Sequence, residues 1–160
     1  MNNFNTDNSN PFFAPYGTPH GAIPYDRITL DHYVPALKEG IKREGDVIAT
    51  ICSNDKPATF ENTIAPLDRA GIMLSEVIGA FNALVNARSD DEILAVEEEI
   101  ELLNTAHHNN ITLNEKLFAR VKAVYDSRES LTLTPEQAKI LENIYKRFVN
   151  SGANLTEEQK

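Results

Sequence analysis

Apolar side chains recur at intervals of three and four residues along most of the chain after Asp31, and no segment shows the strict alternation of a β-strand. This spacing predicts an all-α fold: an antiparallel helical bundle of about five helices behind an extended N-terminal arm. Because 160 residues is a usual length for one domain, we expect a single hydrophobic core. The first two helices are predicted at residues 31–52 and 60–87, and the others begin after Ser89, Asn114 and Thr134.

The second predicted helix is the most apolar of the five. Between Ile72 and Val85 its apolar side chains cover nearly the whole circumference, which predicts a central, largely buried helix. Pro66 is expected to kink this helix or to mark its true beginning. The third helix differs, because its apolar residues form one seam and most of its glutamates fall on the other faces: Ile93, Val96, Ile100 and Leu103 against Glu97, Glu98, Glu99 and Glu101.

The predicted helix boundaries are marked by capping residues. Ser89 with Glu92 and Thr134 with Gln137 have the spacing of capping boxes, and Gly152 is placed to end the last helix. Another capping box begins at Thr156, yet the sequence ends four residues later, at Lys160. We therefore expect truncation at residue 160, with a frayed acidic tail as the alternative.

Residues 11–28 contain four prolines and four aromatic side chains, which predicts an extended arm instead of a helix or a central strand. The aromatic side chains are costly to leave in water, so we expect the arm to be anchored on the folded body by Phe12, Phe13, Tyr16 and Tyr25. A polyproline ligand is the less favoured interpretation, because no PxxP repeat is present. Residues 1–10 are rich in asparagine and are predicted to be a flexible leader without a secretory signal.

The net charge of −9 disfavours partners that are themselves anionic, so neither nucleic acid nor an anionic membrane surface is expected to bind. We expect no apolar run to approach the roughly 20 residues of a membrane helix. The single cysteine, Cys52, is interpreted as a small, half-buried apolar residue and not as a reactive thiol.

No catalytic, cofactor-binding or metal-ligating residue is assigned from the sequence. His107 and His108 are adjacent, so their side chains point about 100° apart on a helix and are interpreted as surface or boundary residues. The glutamates between Glu97 and Glu101 lack the glycine-containing loop of a calcium site and predict a solvated helix face. Neither a nucleophile elbow nor a phosphate-binding glycine motif is present.

Several short phrases resemble the amino terminus of bacterial peptidyl-dipeptidases, which are zinc metallopeptidases of the thimet oligopeptidase and neurolysin type. The phrases occur in the same order as in that family and cover residue 10 to the end: NPFF at 10–13, TPHGAIPYD at 18–26, HYVPALKEG at 32–40, ATFENTI at 58–64, LNEKLF at 113–118, LTPEQ at 133–137 and FVNSGANL at 148–155. Separated phrases in a fixed order are more specific than one short motif.

The resemblance implies that residues 11–160 are the N-terminal helical domain of a larger, clam-shaped helical enzyme that removes dipeptides from the carboxyl end of oligopeptides. Related oligopeptidases cut internally. In the family, zinc is held by HExxH and a downstream glutamate, and this sequence contains no HExxH. The resemblance therefore carries no catalytic or zinc-binding residue over to this chain, whose implied role is one wall of the substrate channel.

The alternative from another class is a stand-alone helical module that binds a partner protein.

If the chain is instead a fragment, its separation from a catalytic domain is expected to leave an apolar surface near Ile72–Val85 or near Phe148 and Val149, and self-association would follow. We expect a cytoplasmic location, and the sequence leaves a periplasmic or exported one open.

Overall fold

The computed structural model describes residues 10–88 and 90–152, and these ranges contain α-helices and short helical turns but no β-strand. The all-α class predicted from the sequence is confirmed. The helices are α1 (Tyr33–Cys52), α2 (Ala65–Ala70), α3 (Ile72–Ala87), α4 (Asp91–Thr112), α5 (Glu115–Asp126) and α6 (Pro135–Asn150). Three predictions concern residues outside the described ranges: residues 1–9 of the leader, Ser89 of the Ser89–Glu92 capping box, and the capping box at Thr156.

The capping residues expected from the sequence act as predicted at two helices. The Asn114 side chain accepts a hydrogen bond from the backbone N–H of Leu117 at the start of α5. At α6, Thr134 and Gln137 form the reciprocal capping box. Helix α6 ends at Asn150, and Gly152 follows with a φ of 83°, a conformation that glycine adopts without steric cost.

The single helix predicted for residues 60–87 is interrupted. A π-helical turn at Phe60–Ile64 leads into α2, and α3 begins only after Gly71. Pro66 lies in the first turn of α2, where its missing N–H costs no intrahelical hydrogen bond. Pro66 therefore marks a helix start, which was one of the two outcomes expected for it.

Two hydrophobic cores are present where the chain length led us to expect one. The described residues up to Lys42 and residues 72–104 form unit 1, and residues 43–71 with the described residues from Thr105 onward form unit 2. Helices α1 and α4 have 20 and 22 residues, and each contributes its first part to unit 1 and its second part to unit 2. Helices of this length can contribute apolar side chains to two separate cores, which explains why two cores form instead of the one expected.

In unit 1, α1, α3 and α4 surround a core with an aromatic centre. The rings of Tyr33 and Phe81 meet edge to face, with centroids 5.1 Å apart, and both side chains are almost fully buried. The third-helix seam is confirmed, because Ile93 and Ile100 are buried and Val96 and Leu103 pack partly against them. Helices α1 and α3 come close at Gly40, where a Cβ atom would lie 3.2 Å from the Leu74 backbone.

The N-terminal arm packs on unit 1 through only some of its aromatic side chains. Phe12 is buried and contacts the Tyr33 ring at a centroid distance of 5.5 Å. The Tyr16 hydroxyl donates a hydrogen bond to Glu76, and partial burial and this carboxylate raise the pKa of Tyr16 to about 12. Tyr25 is 51% exposed, so its predicted anchoring role is wrong.

Asn10 also corrects the predicted leader. Its side chain is buried, accepts a hydrogen bond from the Phe12 N–H and donates one to the carbonyl oxygen of His32. These bonds fix the start of the arm, so Asn10 belongs to the folded part of unit 1.

The core of unit 2 is built by α5 and α6 with parts of α1, α2 and α4. Phe148 is fully buried there, with its ring stacked 5.7 Å from that of Phe118. The expectation that Phe148 lies on an uncovered surface is therefore wrong, because residues from α5 and from the Phe60–Ile64 turn cover this side of α6. Val149 is only partly buried.

The apolar stretch Phe60–Ala87 is long enough, by length and composition alone, to cross a membrane, which corrects the expectation that no such run exists. Four side chains of α3 are buried in the core of unit 1, Leu74, Val77, Ala80 and Phe81, so the prediction of a largely buried α3 is also wrong. The exposed face of α3 carries Ile72, which is 54% exposed, beside polar or small residues: Ser75, Glu76, Gly79, Asn82 and Ala83. Core helices of water-soluble proteins and signal sequences pass the same length and composition test, so the test alone assigns no membrane span.

Candidate functional site

His107 is buried, where the sequence predicts a surface or boundary histidine. Its side chain is 9% exposed, and its Nε2 atom lies 2.9 Å from Oε2 of Glu44, which is 10% exposed. His108, the neighbouring residue, is exposed as expected. The signal that sequence reasoning missed is the position of Glu44 on the apolar seam of α1, seven residues after Leu37 and four before Ile48.

The Glu44 carboxylate also lies close to Gly71, the residue that follows α2. A Cβ atom on Gly71 would lie 3.2 Å from Oε1 of Glu44. A side chain at residue 71 would therefore have to displace the carboxylate or the backbone. Glu44, Gly71 and His107 all belong to unit 2, where Glu44 and His107 form a buried polar contact between α1 and α4.

The residues that the structure describes do not fit the zinc ion that the resemblance implies for the parent enzyme. Within the described ranges, no group of three or more His, Cys, Asp or Glu side chains is placed to hold a metal ion. The Glu44–His107 pair supplies only two such groups, whereas a catalytic zinc needs three protein ligands. No step of a zinc-dependent reaction is therefore assigned to these residues.

The glutamates of α4 form a solvated face, as the sequence predicts. Glu98, Glu99 and Glu101 are exposed, and Glu99 accepts a hydrogen bond from Lys38 at 2.9 Å. An exposed ion pair of this kind contributes at most about 1 kcal/mol to stability.

Cys52 is half-buried, as expected, with its Sγ 3.8 Å from Oδ1 of Asn114. Burial raises the pKa of the Cys52 thiol, so little of the nucleophilic thiolate forms near neutral pH. The structural interpretation of this residue is therefore favoured over a reactive one.

Unit 2 also has an open pocket between the end of α5 and the start of α6, with a volume of about 510 Å³. Tyr125 lies at its edge with both ring faces occupied: Tyr145 stacks at a centroid distance of 3.8 Å and the Arg128 guanidinium lies 4.3 Å from the centroid. Such cation–π contacts contribute about 0.5–1 kcal/mol when exposed.

The charges at this pocket are largely paired among themselves. Glu142 accepts hydrogen bonds from Lys146 and Lys139, and these bonds lower the pKa of its carboxyl to about 2. Arg128 has Glu129 within 3.6 Å. The pocket therefore offers neither an activated acid or base nor an unpaired charge that selects a ligand.

Arg120 of α5 holds the segment between α1 and the Phe60–Ile64 turn. Its guanidinium donates to the carbonyl oxygens of Asn54 and Lys56, at 2.7 and 3.1 Å, and to Oδ1 of Asn62 at 3.2 Å. Its Nε is buried without a hydrogen-bond partner among the described residues. The planar fork of donors makes this residue specific to arginine.

We expect Arg120→Lys to lower the free energy of unfolding by about 1–3 kcal/mol, because a single ammonium nitrogen cannot occupy both positions from which Nη1 and Nη2 of Arg120 bond the three acceptors. Urea unfolding followed by circular dichroism measures this loss. Arg147→Lys, on an exposed face of α6, is the matched control and is expected to change it by less than about 0.5 kcal/mol. Equal effects of the two substitutions would contradict the role assigned to Arg120.

Comparison with known proteins supports the resemblance read from the sequence. The chain is 38% identical over 151 residues to dipeptidyl carboxypeptidase of Escherichia coli (strain K12) and 37% identical over 152 residues to that of Salmonella typhimurium (strain LT2). It is 22% identical over 152 residues to oligopeptidase A of Escherichia coli. No family model matches the chain.

These alignments take in 94–95% of this chain but only 22% of each relative. The chain thus spans about a fifth of the length of the relatives that it matches. At 38% identity over nearly its whole length, the resemblance to the peptidyl-dipeptidases is confirmed, and the chain is homologous to a part of dipeptidyl carboxypeptidase.

Proposed function

We propose that this chain is the N-terminal helical part of a zinc-dependent peptidyl-dipeptidase, an enzyme that releases dipeptides from the carboxyl end of short peptides. The observation that carries this proposal is the 38% identity over 94% of the chain to a protein named dipeptidyl carboxypeptidase. The weaker similarity to oligopeptidase A supports a peptidase origin without distinguishing terminal from internal cleavage.

Within that enzyme, the proposed role of this part is structural. It forms one wall of the channel through which oligopeptides reach the zinc, whose ligands belong to the rest of the enzyme. Two observations support this division: the sequence has no HExxH, and the described residues bring no three metal ligands together. Besides the oligopeptide substrates, the proposed partner of this helical part is the catalytic domain of the same enzyme. The proposed location is the cytoplasm.

We expect the purified 160-residue chain neither to bind zinc stoichiometrically nor to cleave peptides, because the ligand set of the family is missing. Zinc content per chain, measured by atomic emission, and turnover of an internally quenched peptide test both statements. One equivalent of tightly held zinc, or turnover that a chelator stops, would contradict the proposed structural role.

The stand-alone interaction module remains the alternative, and a different experiment separates it from the peptidase. Sequencing the gene downstream of codon 160 is expected to show an open frame that contains HExxH. A stop codon directly after Lys160 would favour the module. Self-association of the isolated chain, which the fragment hypothesis predicts, stays a prediction for sedimentation over a concentration series, and a strictly monomeric chain would favour the module. Ile72, at the start of the apolar stretch where an uncovered surface is expected, is 54% exposed.

A further inference from the structure

The buried Glu44–His107 pair has no role in the proposed function, and its position in the chain is unusual. The chain passes between its two units at three places, after Lys42, after Gly71 and after Asn104. Glu44, Gly71 and His107 each lie within three residues of one of these places. The Glu44–His107 contact between α1 and α4 therefore lies beside the residues at which the two segments of unit 2 begin.

The energetics of a buried polar pair differ from those of an apolar contact. Removing a carboxylate and an imidazole from water is costly, and their mutual hydrogen bond at 2.9 Å compensates this cost only in part. When the contact opens, both groups regain their hydration, whereas an opened apolar contact exposes hydrocarbon to water. Both side chains retain 9–10% exposure, so a small displacement is enough to hydrate them.

We propose that Glu44 and His107 form a latch, a closed contact at which the unit 2 segments of α1 and α4 separate locally at lower cost than elsewhere in the core of unit 2. Gly71 belongs to the latch, because the absence of a side chain there leaves room for the Glu44 carboxylate. The inference does not depend on the peptidase assignment.

Amide hydrogen exchange of the full chain under native conditions tests this proposal. The amides of residues 45–52 and 105–112 report on the latch, and those of α6 report on the rest of unit 2. In Glu44→Gln and His107→Gln, we expect exchange at residues 45–52 and 105–112 to be faster by at least about tenfold, because each leaves its partner buried with a poorer hydrogen bond. Exchange in α6 is expected to change much less.

The double substitution Glu44→Met with His107→Phe separates a latch from a contact that only stabilises the fold. It replaces the polar pair by an apolar one of similar volume, and we expect exchange at residues 45–52 and 105–112 to be slower than in the original chain. Exchange at the original rate or faster would overturn the proposal, as would single variants that exchange at the original rate.

Gly71→Ala gives an independent test that alters neither polar group, and it decides the question if the double variant does not fold. The added Cβ presses on the Glu44 carboxylate, so we expect faster exchange at residues 45–52 and 105–112 and an unchanged α6. Gly45→Ala is the control for an added Cβ that meets nothing within 4 Å. Because alanine is the better helix former inside α1, we expect its exchange to be unchanged or slower, never faster. Unchanged exchange in Gly71→Ala, or an equal increase in all helices, would overturn the latch.

Discussion

Phe148→Ala is expected to lower the free energy of unfolding by about 3–5 kcal/mol, the range typical of a buried phenylalanine. Phe148 is fully buried in unit 2, and its ring stacks on that of Phe118. Truncation to alanine removes the ring and leaves a cavity that the surrounding helices fill only in part. Urea unfolding monitored by far-UV circular dichroism measures the loss.

Leu113→Ala provides the control for this substitution within the same unit. Leu113 is 57% exposed, so its truncation is expected to change the free energy of unfolding by no more than about 0.5 kcal/mol. Equal effects of the two substitutions would mean that the side of α6 that carries Phe148 is uncovered, contrary to its burial in the structure.

Local signals in the sequence predicted the elements well, because capping depends on residues close in the chain. Asn114 and the Thr134–Gln137 box mark helix starts, and their hydrogen bonds do not depend on how the rest of the chain packs. The seam Ile93–Leu103 was likewise predictable from its spacing, since one helix face is defined by its own residues.

Properties that depend on distant residues were not predictable in the same way. The apolar spacing of α6 predicts that Phe148 packs against another element, but only the structure shows that this element is α5. The same holds for the two cores, because α1 and α4 read as continuous seams although each serves both units.

The candidate site was the least predictable part. Glu44 interrupts an apolar seam, which is a visible signal for a buried polar residue, but its partner His107 lies 63 residues away. No spacing rule joins two residues at that separation. Function was likewise not available from composition or periodicity and came from ordered phrases that resemble the peptidyl-dipeptidases, such as residues 18–26 and 148–155.

The N-terminal arm offers the second prediction with a large effect. Phe12→Ala is expected to lower the free energy of unfolding by about 3 kcal/mol or more, because the Phe12 ring is buried against Tyr33 in the core of unit 1. Tyr25→Ala, in the same arm, is the matched control: its side chain is 51% exposed, and we expect a loss of no more than about 1 kcal/mol.

Hydrogen exchange then shows where the loss falls, because Phe12 contributes to the core of unit 1 and not to that of unit 2. Amides of α3 should lose protection in Phe12→Ala, and the unit 2 helices α5 and α6 are the comparison within the same molecule. Equal losses for Phe12→Ala and Tyr25→Ala would mean that the arm is held by hydrogen bonds, such as those of the Asn10 side chain, and not by its aromatic side chains.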